Sequence, residues 1–562
     1  MCTSTNQSKR AFVRARCSSK GDYTNDCLFC RWRRRATRMS ESYTGAASTT
    51  ADVLWAAADS HPDRMCVTEL DRADGALSYD GMRRRTAATA GALRGLGVEP
   101  GDRVAVLLPN SIEYVATWLG AMACGSVVVP LNVRLLRDDY LHMLSDSGSR
   151  ILVTEGAFLE RFPELGRLPD LRVVRADGTG PGSLVAARSA GTPLDRPVPR
   201  NGDDVASLMY TSGTTGLPKA VMLTHDSWRS VADTAIRVLG FGTDEVTLHV
   251  APLTHGAGFL LPPTLMKGGH NLLARSYDAA RTASLLTSRG VTGMFMVPSM
   301  IRMLLDALPP GYVAPATLRR IYYAGSPIEP ATLREATEVF DGRLVQSFAQ
   351  MESPMFFTVL DQEDHVRAAR GPRAHLARSA GRVLPEVGLA VVDAAGVPVP
   401  CGQPGEILAK APQTMAGYWN RPQETAEALT DGWLRTGDVG RLDEDGYLFL
   451  VDRKKDMIVT GGSNVYAREV EQVLLGLPGV RDAAVIGLPH RIWGEAVTAV
   501  LVPDGPPPPD EEILRGCRSA LAGYRVPKRV VWMDELPRNA YGKVLKRRLR
   551  ERLSVTSGTA PQ

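Results

Sequence analysis

The 562-residue chain predicts an α/β protein: a large N-terminal domain of helix-covered parallel sheets, a β-rich subdomain, and a small α+β unit at the C-terminus. Three observations predict this. Apolar strand-like runs alternate with helix-like segments from about residue 50 onward. Short strands between turns replace them after residue 380. A helical segment followed by two long apolar runs closes the chain. With 44% hydrophobic and 23% charged residues, the composition suits an ordinary globular protein with several cores.

Taken in order, MRRRTAATAGALRGLG reads as a helix ending at glycine, and DRVAVLLP as a strand stopped by proline. IEYVATWLGAMACG is a helix and SVVVPLN a strand. The alternation resumes with GVTGMFMVP, LRRIYYAG and GRLVQSFAQME. The interval 160–204 is richer in Pro, Gly and Asp and reads as loops and edges. EVGLAVVD, GEILAKA and GYLFLVDR are the short strands of the β-rich subdomain. AREVEQVLLGLP, VRDAAVIGLP and EAVTAVLVP build the last unit, and the tract PDGPPPPDEE (503–512) reads as a loop inside it. No internal repeat is visible.

Charge is unevenly spread. Residues 1–38 hold ten Lys or Arg against two Asp, whereas the remaining 524 residues hold 56 basic and 59 acidic side chains. The body therefore offers no nucleic-acid footprint. Half of the eight cysteines, Cys2, Cys17, Cys27 and Cys30, also fall in this segment. Cys27 and Cys30 form a lone C-x-x-C, and a zinc site needs four ligands. The segment reads as a disordered extension, or as sequence upstream of a true start at Met39. Cys66, Cys124, Cys401 and Cys517 are scattered and suit reduced thiols. No apolar run approaches the roughly 20 residues of a membrane span, and the start lacks the apolar stretch of a signal peptide. A cytoplasmic protein is the expectation.

One polar stretch stands out, YTSGTTGLPKA from Tyr210 to Ala220. It lies between the apolar runs VASLMY and KAVMLTH, so it reads as a tight loop between two strands. Gly213 and Gly216 let backbone amides turn inward, small hydroxyls add donors, and Lys219 supplies a cation. That is the make-up of a phosphate cradle, without the residue order of a Walker A loop.

This stretch resembles the phosphate-loop signature of the adenylate-forming superfamily, which includes acyl-CoA synthetases, aryl-CoA ligases, luciferases and adenylation domains. APLTHGAG (251–258), FAQMES (348–353), WLRTGDVG (433–440), LVDRKKDMIVTGGSNVYAREVE (450–471) and LPRNAYGKVLKR (536–547) follow in the superfamily's order. The resemblance spans about residue 50 to 550. It implies an N-terminal adenylation domain over 39–452, a hinge at 453–456 and a mobile C-terminal lid over 457–562. It also implies a reaction in which a carboxylate attacks the α-phosphate of ATP, giving an acyl-adenylate and pyrophosphate. Negative charge builds on the phosphates, so cations and backbone donors must meet it.

By this resemblance, Thr211, Ser212, Gly213, Thr214, Thr215, Gly216 and Lys219 wrap the phosphates. Glu352 ligates magnesium, and Asp438 accepts the ribose hydroxyls with Arg453 assisting. Tyr323, Ala324 and Gly325 bring backbone against adenine. Lys543 reaches the acyl carboxylate and α-phosphate, although composition alone would place it in a solvated basic run with Lys546, Arg547, Arg548 and Arg550. His255 borders the carboxylate site, and its bland alternative is a neutral core histidine. Lys455 matches the hinge. Gly461 and Gly462 match the glycines of a pantetheine tunnel, which favours coenzyme A as acceptor. THGAGFLLPP carries no Asp for an α-amino group, so a free amino acid is disfavoured as substrate. GFLL suggests an apolar acyl pocket, with Ala257, Leu261 and Ala349 as candidates.

Two departures bear on this. Met351 stands where the pattern has a threonine that contacts the α-phosphate, and Ala349 stands where glycine often lines the acyl pocket. Ala467 and Asn539 are minor differences. The leading expectation is an acid–CoA ligase using ATP, magnesium, a small carboxylic acid and coenzyme A. A second keeps adenylation and changes the partners, either nitrite with an aryl amine or a carrier protein. A third, a non-catalytic relative, is opposed by the retention of Lys219, Glu352, Asp438 and Lys543.

Overall fold

The computed structural model describes residues 49–211, 217–371, 373–461, 463–538 and 544–556. The basic segment 1–38, with its C-x-x-C, lies outside the described residues. Among those described, no helix is long and apolar enough to cross a membrane. Cys66, Cys124 and Cys517 are buried free thiols, and Cys401 is an exposed one.

Two large sheets form the bulk. The first runs in the spatial order 417–418, 219–224, 205–211, 127–130, 103–107, 151–154, 172–175. Its last five strands are parallel, and the two at the other end are antiparallel additions. The second has nine strands, with a parallel centre built on 344–350, 320–323, 293–296, 246–249, 270–273 and 65–69. Its edges are antiparallel. The expectation of parallel, helix-covered sheets thus holds for the centres. The antiparallel edge at 205–224 agrees with the tight loop expected between two strands, whereas the one that carries the FAQME turn was not expected.

Local chemistry explains the helices between the strands. Ser78 caps the helix Tyr79–Gly95 by accepting from Gly81 N, and Ser111 caps Ile112–Ala123 by accepting from Tyr114 N. The buried Glu69 places Oε2 3.1 Å from the Ile112 amide at the second helix start, where a negative charge is favoured. The stretch 160–204 contains loops and an edge strand, as its composition suggests, and also a helix that was not expected. It holds the edge strand Arg172–Arg175 and the helix Leu184–Ala190, capped by Ser183. The helix is short and carries arginine beside its apolar residues, so periodicity could not show it.

A third sheet joins the strands 388–392, 405–410, 433–442, 429–430 and 448–453. After a turn at Lys454–Asp456 the chain enters a fourth sheet, of strands 463–465, 458–460, 494–503, 480–490 and 529–532. One face of that sheet packs Ile458, Val485 and Val497 against the helices Ala467–Leu475 and Asp510–Ala520. The other face packs Ile486 and Val500 against Leu549 and Leu553 of the helix Lys546–Thr556. The proline tract leads from Gly494–Pro503 to Asp510–Ala520 and is a loop inside this unit, as its position in the sequence suggests.

Candidate active site

The strands Val205–Thr211 and Lys219–Thr224 pair antiparallel, with Thr211 opposite Lys219. The two strands therefore form the arms of a hairpin, and Ser212, Gly213, Thr214, Thr215 and Gly216 lie outside the described residues. Its two stems are anchored. The Tyr210 hydroxyl donates to Asp146 Oδ2 at 2.8 Å, and Asp146 also pairs with Arg421 at 2.9 Å. Across the hairpin, the Lys219 ammonium pairs with Glu424 and lies 5.4 Å from the centre of the Tyr418 ring. Tyr418 belongs to the two-residue strand that pairs with Lys219–Thr224.

The Tyr418 hydroxyl donates to Glu352 Oε1 at 2.8 Å. Glu352 sits half-buried in the turn between the strands Leu344–Gln350 and Ser353–Leu360. Tyr418 thus joins two expected phosphate-handling residues, Lys219 and Glu352, that are 133 positions apart in the sequence. Neither Tyr418 nor Glu424 was found by sequence reasoning. A two-residue strand has no period to read, and the paired positions lie some 200 residues from the hairpin.

Asp438 is almost buried on the strand Trp433–Leu442, directly opposite Arg453 in the register. Arg453 Nε meets Oδ1 at 3.1 Å. The Gln350 carboxamide nitrogen donates to Oδ2 at 2.7 Å and to the Thr436 carbonyl at 2.7 Å. The Asp438 amide donates to Thr436 Oγ1 at 3.1 Å, across Gly437 at φ +66°. That left-handed value favours glycine and gives the G of RTGD a conformational reason. Gln350 is a further residue missed by sequence reasoning.

Tyr323 has a buried side chain, whose hydroxyl lies 2.9 Å from His365 Nε2. The whole residue is buried, so the surface of this segment lies at Ala324 and Gly325. Ala324 is half-buried, and Gly325 is exposed with φ +94°. His255 is half-buried, and burial pulls its pKa down to about 4, so the ring is neutral near pH 7. Ala257 and Leu261 are each 1% exposed and enclosed in the main core, whereas Ala349 and Met351 pack on that core from a half-buried position. Among the three acyl-pocket candidates, Ala349 alone retains appreciable surface.

Lys455 sits in the turn Lys454–Asp456. Around it, Lys454 Nζ meets Glu406 at 3.0 Å, and Arg550 meets Asp456 at 3.4 Å. Gly461 has φ +56°, is exposed, and donates its amide to the Trp493 carbonyl at 2.9 Å. Gly462 and Lys543 lie outside the described residues. Lys546, grouped with a solvated run by composition, instead pairs with Glu471 at 2.7 Å, with side chains 15% and 17% exposed. Glu471 lies in a separate segment 75 residues earlier, which a local charge count cannot see.

The chain matches the family profile described as AMP-binding enzyme over residues 54–419, and the AMP-binding enzyme C-terminal domain over residues 469–543. It is 41% identical over 490 residues to a feruloyl-CoA synthase of an Amycolatopsis species, covering 85% of this chain and 94% of that protein. It is 36% identical over 484 residues to the fatty acid–[acyl-carrier-protein] ligase ScoC of Streptomyces coeruleorubidus, covering 85% and 91%. Among solved structures, the o-succinylbenzoate-CoA synthetase MenE of Bacillus subtilis, in complex with its acyl-adenylate intermediate, superposes with a TM-score of 0.81 at 28% identity. The match covers 90% of this chain and 99% of that one. The fold is that of an adenylate-forming enzyme. The chain belongs to the AMP-binding enzyme family.

Proposed function

We propose that the chain is an ATP-dependent acid–CoA ligase. It converts a carboxylic acid to an acyl-adenylate with release of pyrophosphate, then passes the acyl group to the thiol of coenzyme A. The observation that carries this reading is one run of contacts around a single turn. Arg453 and Gln350 hold Asp438 on one side of the turn, and Glu352, Tyr418 and Lys219 are joined on the other. On this reading Asp438 takes the ribose, and Lys219 with the hairpin loop takes the phosphates. Lys543 brings a cation to the carboxylate and α-phosphate, where charge develops. The neutral His255 borders the acid without adding charge. Ala349 shapes the acyl pocket.

Magnesium fits this arrangement. Glu352 offers Oε2 beyond the oxygen that Tyr418 holds, and no group of three or more His, Cys, Asp or Glu is assembled among the described residues. Magnesium characteristically takes one or two carboxylates and completes its shell with phosphate oxygens and water. When bound, it neutralises charge on the phosphates. The turn at 453–456 is the pivot between the adenylation domain and the lid, and Gly461 and Gly462 border the path of the thiol.

Named relatives that join carboxylic acids to coenzyme A support this reading and speak against nitrite with an aryl amine. ScoC, a carrier-protein ligase by name, supports a carrier thiol as the second reading. Pyrophosphate release across a panel of aryl and fatty acids tests the proposal, with coenzyme A, holo carrier protein or neither as acceptor, and with nitrite plus aryl amines. Acid-dependent release followed by CoA thioester formation is expected. Release that needs nitrite and an amine, or release from no acid at all, rejects the proposal.

A further inference from the structure

Gln350 ends the strand Leu344–Gln350, where the pairing with Ser353–Leu360 shifts register between Phe348 and Gln350. Such irregularities re-aim side chains, and here the side chain reaches the neighbouring sheet. Its nitrogen lies 2.7 Å from both Asp438 Oδ2 and the Thr436 carbonyl. Both partners are acceptors only, so the amide must present its NH₂ to them and not its oxygen. The opposite carboxylate oxygen, Oδ1, is held by Arg453 Nε at 3.1 Å.

An ionised carboxylate has about four lone-pair sites, two on each oxygen. Arg453 takes one site on Oδ1, and Gln350 takes one on Oδ2. Each oxygen keeps one site for a further donor. With Arg453 alone, the carboxylate could turn about its Cβ–Cγ bond and offer its oxygens unequally. Resting on the reading of Asp438 as the ribose acceptor, we infer that Gln350 is a positioning residue for the ribose of ATP. It locks the rotation of the Asp438 carboxylate so that one oxygen meets each ribose hydroxyl. Because Gln350 lies two residues before Glu352, the same turn sets the sugar and the phosphate end of the nucleotide.

The test is calorimetric binding of ATP, 2′-deoxyATP and 3′-deoxyATP to the full chain, which needs no acid substrate. The wild type is expected to bind both deoxy nucleotides more weakly than ATP. Gln350→Met keeps the side-chain length and removes the donor. It is expected to raise the Kd for ATP by about tenfold, the scale of one hydrogen bond to a charged group, and to shrink the penalty for losing either hydroxyl. Gln350→Glu sets a second carboxylate against Asp438 and regains a donor when protonated. Its Kd relative to wild type should improve as pH falls from 8 toward 5, a signature that a packing role does not give and that stands if Gln350→Met fails to fold. If the wild type binds all three nucleotides equally, the Asp438 reading fails and the role of Gln350 with it. If the wild type discriminates and Gln350→Met discriminates equally, or Gln350→Glu shows no pH trend, the role of Gln350 alone is overturned.

Discussion

The Tyr418 hydroxyl donates to Glu352 Oε1 at 2.8 Å while the ring of the same tyrosine lies 5.4 Å from the Lys219 ammonium. Burial, then the Glu352 carboxylate, pushes the phenol pKa up, so Tyr418 remains a donor at working pH. Tyr418→Phe removes the donor and keeps the ring. A hydrogen bond to a charged group contributes about 1.5–3 kcal/mol, so adenylate formation is expected to fall by about tenfold or more, with a higher magnesium demand. A magnesium titration of pyrophosphate release checks this. An unchanged demand in a folded variant rejects the link between Tyr418 and Glu352.

Gly437→Ala puts a Cβ where φ is +66°, in a place where no neighbouring atom lies within 4 Å. The penalty is conformational, about 1–2 kcal/mol, and it falls between Thr436 and Asp438. Weaker ATP binding with modest loss of thermal stability is expected. Calorimetry beside a melting curve separates the two, and unaltered ATP affinity would show that the RTGD backbone does not set Asp438.

Lys543→Ala should remove a cation facing charge that develops during adenylation, a loss of about 10²–10³ in rate. Thioester formation from a synthetic acyl-adenylate and coenzyme A should be largely spared. The control is Arg548→Ala, an exposed side chain of the same segment. Lys546 is unsuitable, since its pair with Glu471 gives it a structural role. Equal loss in both half-reactions, or equal loss in the control, removes Lys543 from its assigned part.

On the proposed reading of 453–456 as the pivot, Lys455→Pro should restrict φ there. Adenylation is expected to survive better than thioester formation, because on that reading only the second needs the lid to have turned. Half-reactions assayed separately give the answer, and matching losses in a folded protein count against this pivot.

Burial lowers the pKa of His225, His249, His255, His270 and His365 from 6.5 to about 4. Between those values the unfolded chain binds more protons than the folded one, so stability falls as pH drops from about 6.5 toward 4. The urea midpoint should be lower at pH 5 than at pH 7.5. A midpoint that holds or rises at pH 5 contradicts the buried, neutral state of these rings.

The hairpin around the phosphate loop was legible because an ordered polar motif sits between two apolar runs, and each run is long enough to be a strand. Asp438 and Arg453 were legible through motif order, and the register sets them face to face. Gln350, Tyr418 and Glu424 were not legible. Each acts through a partner far away in sequence, and each looks locally like an ordinary surface residue. The other antiparallel edges were hidden for a related reason: strand direction is decided by which neighbour a strand finds, and periodicity does not report that. Lys546 was misjudged because its carboxylate partner comes from another helix.

The pairing of Lys219 with Glu424, both partly open to solvent at 24% and 33%, bears on the state that follows adenylation. On the proposed reading, an incoming triphosphate draws Lys219 away from Glu424, one anion replacing another. When pyrophosphate departs, the lysine has the same glutamate to return to. Lys219 therefore has an anionic partner both before the triphosphate binds and after the leaving group departs. Departure of the leaving group does not leave Lys219 unpaired, and an unpaired ammonium there would hold pyrophosphate back as a product inhibitor. Glu424 would then govern turnover by letting the by-product go, though it takes no part in the bond-making step.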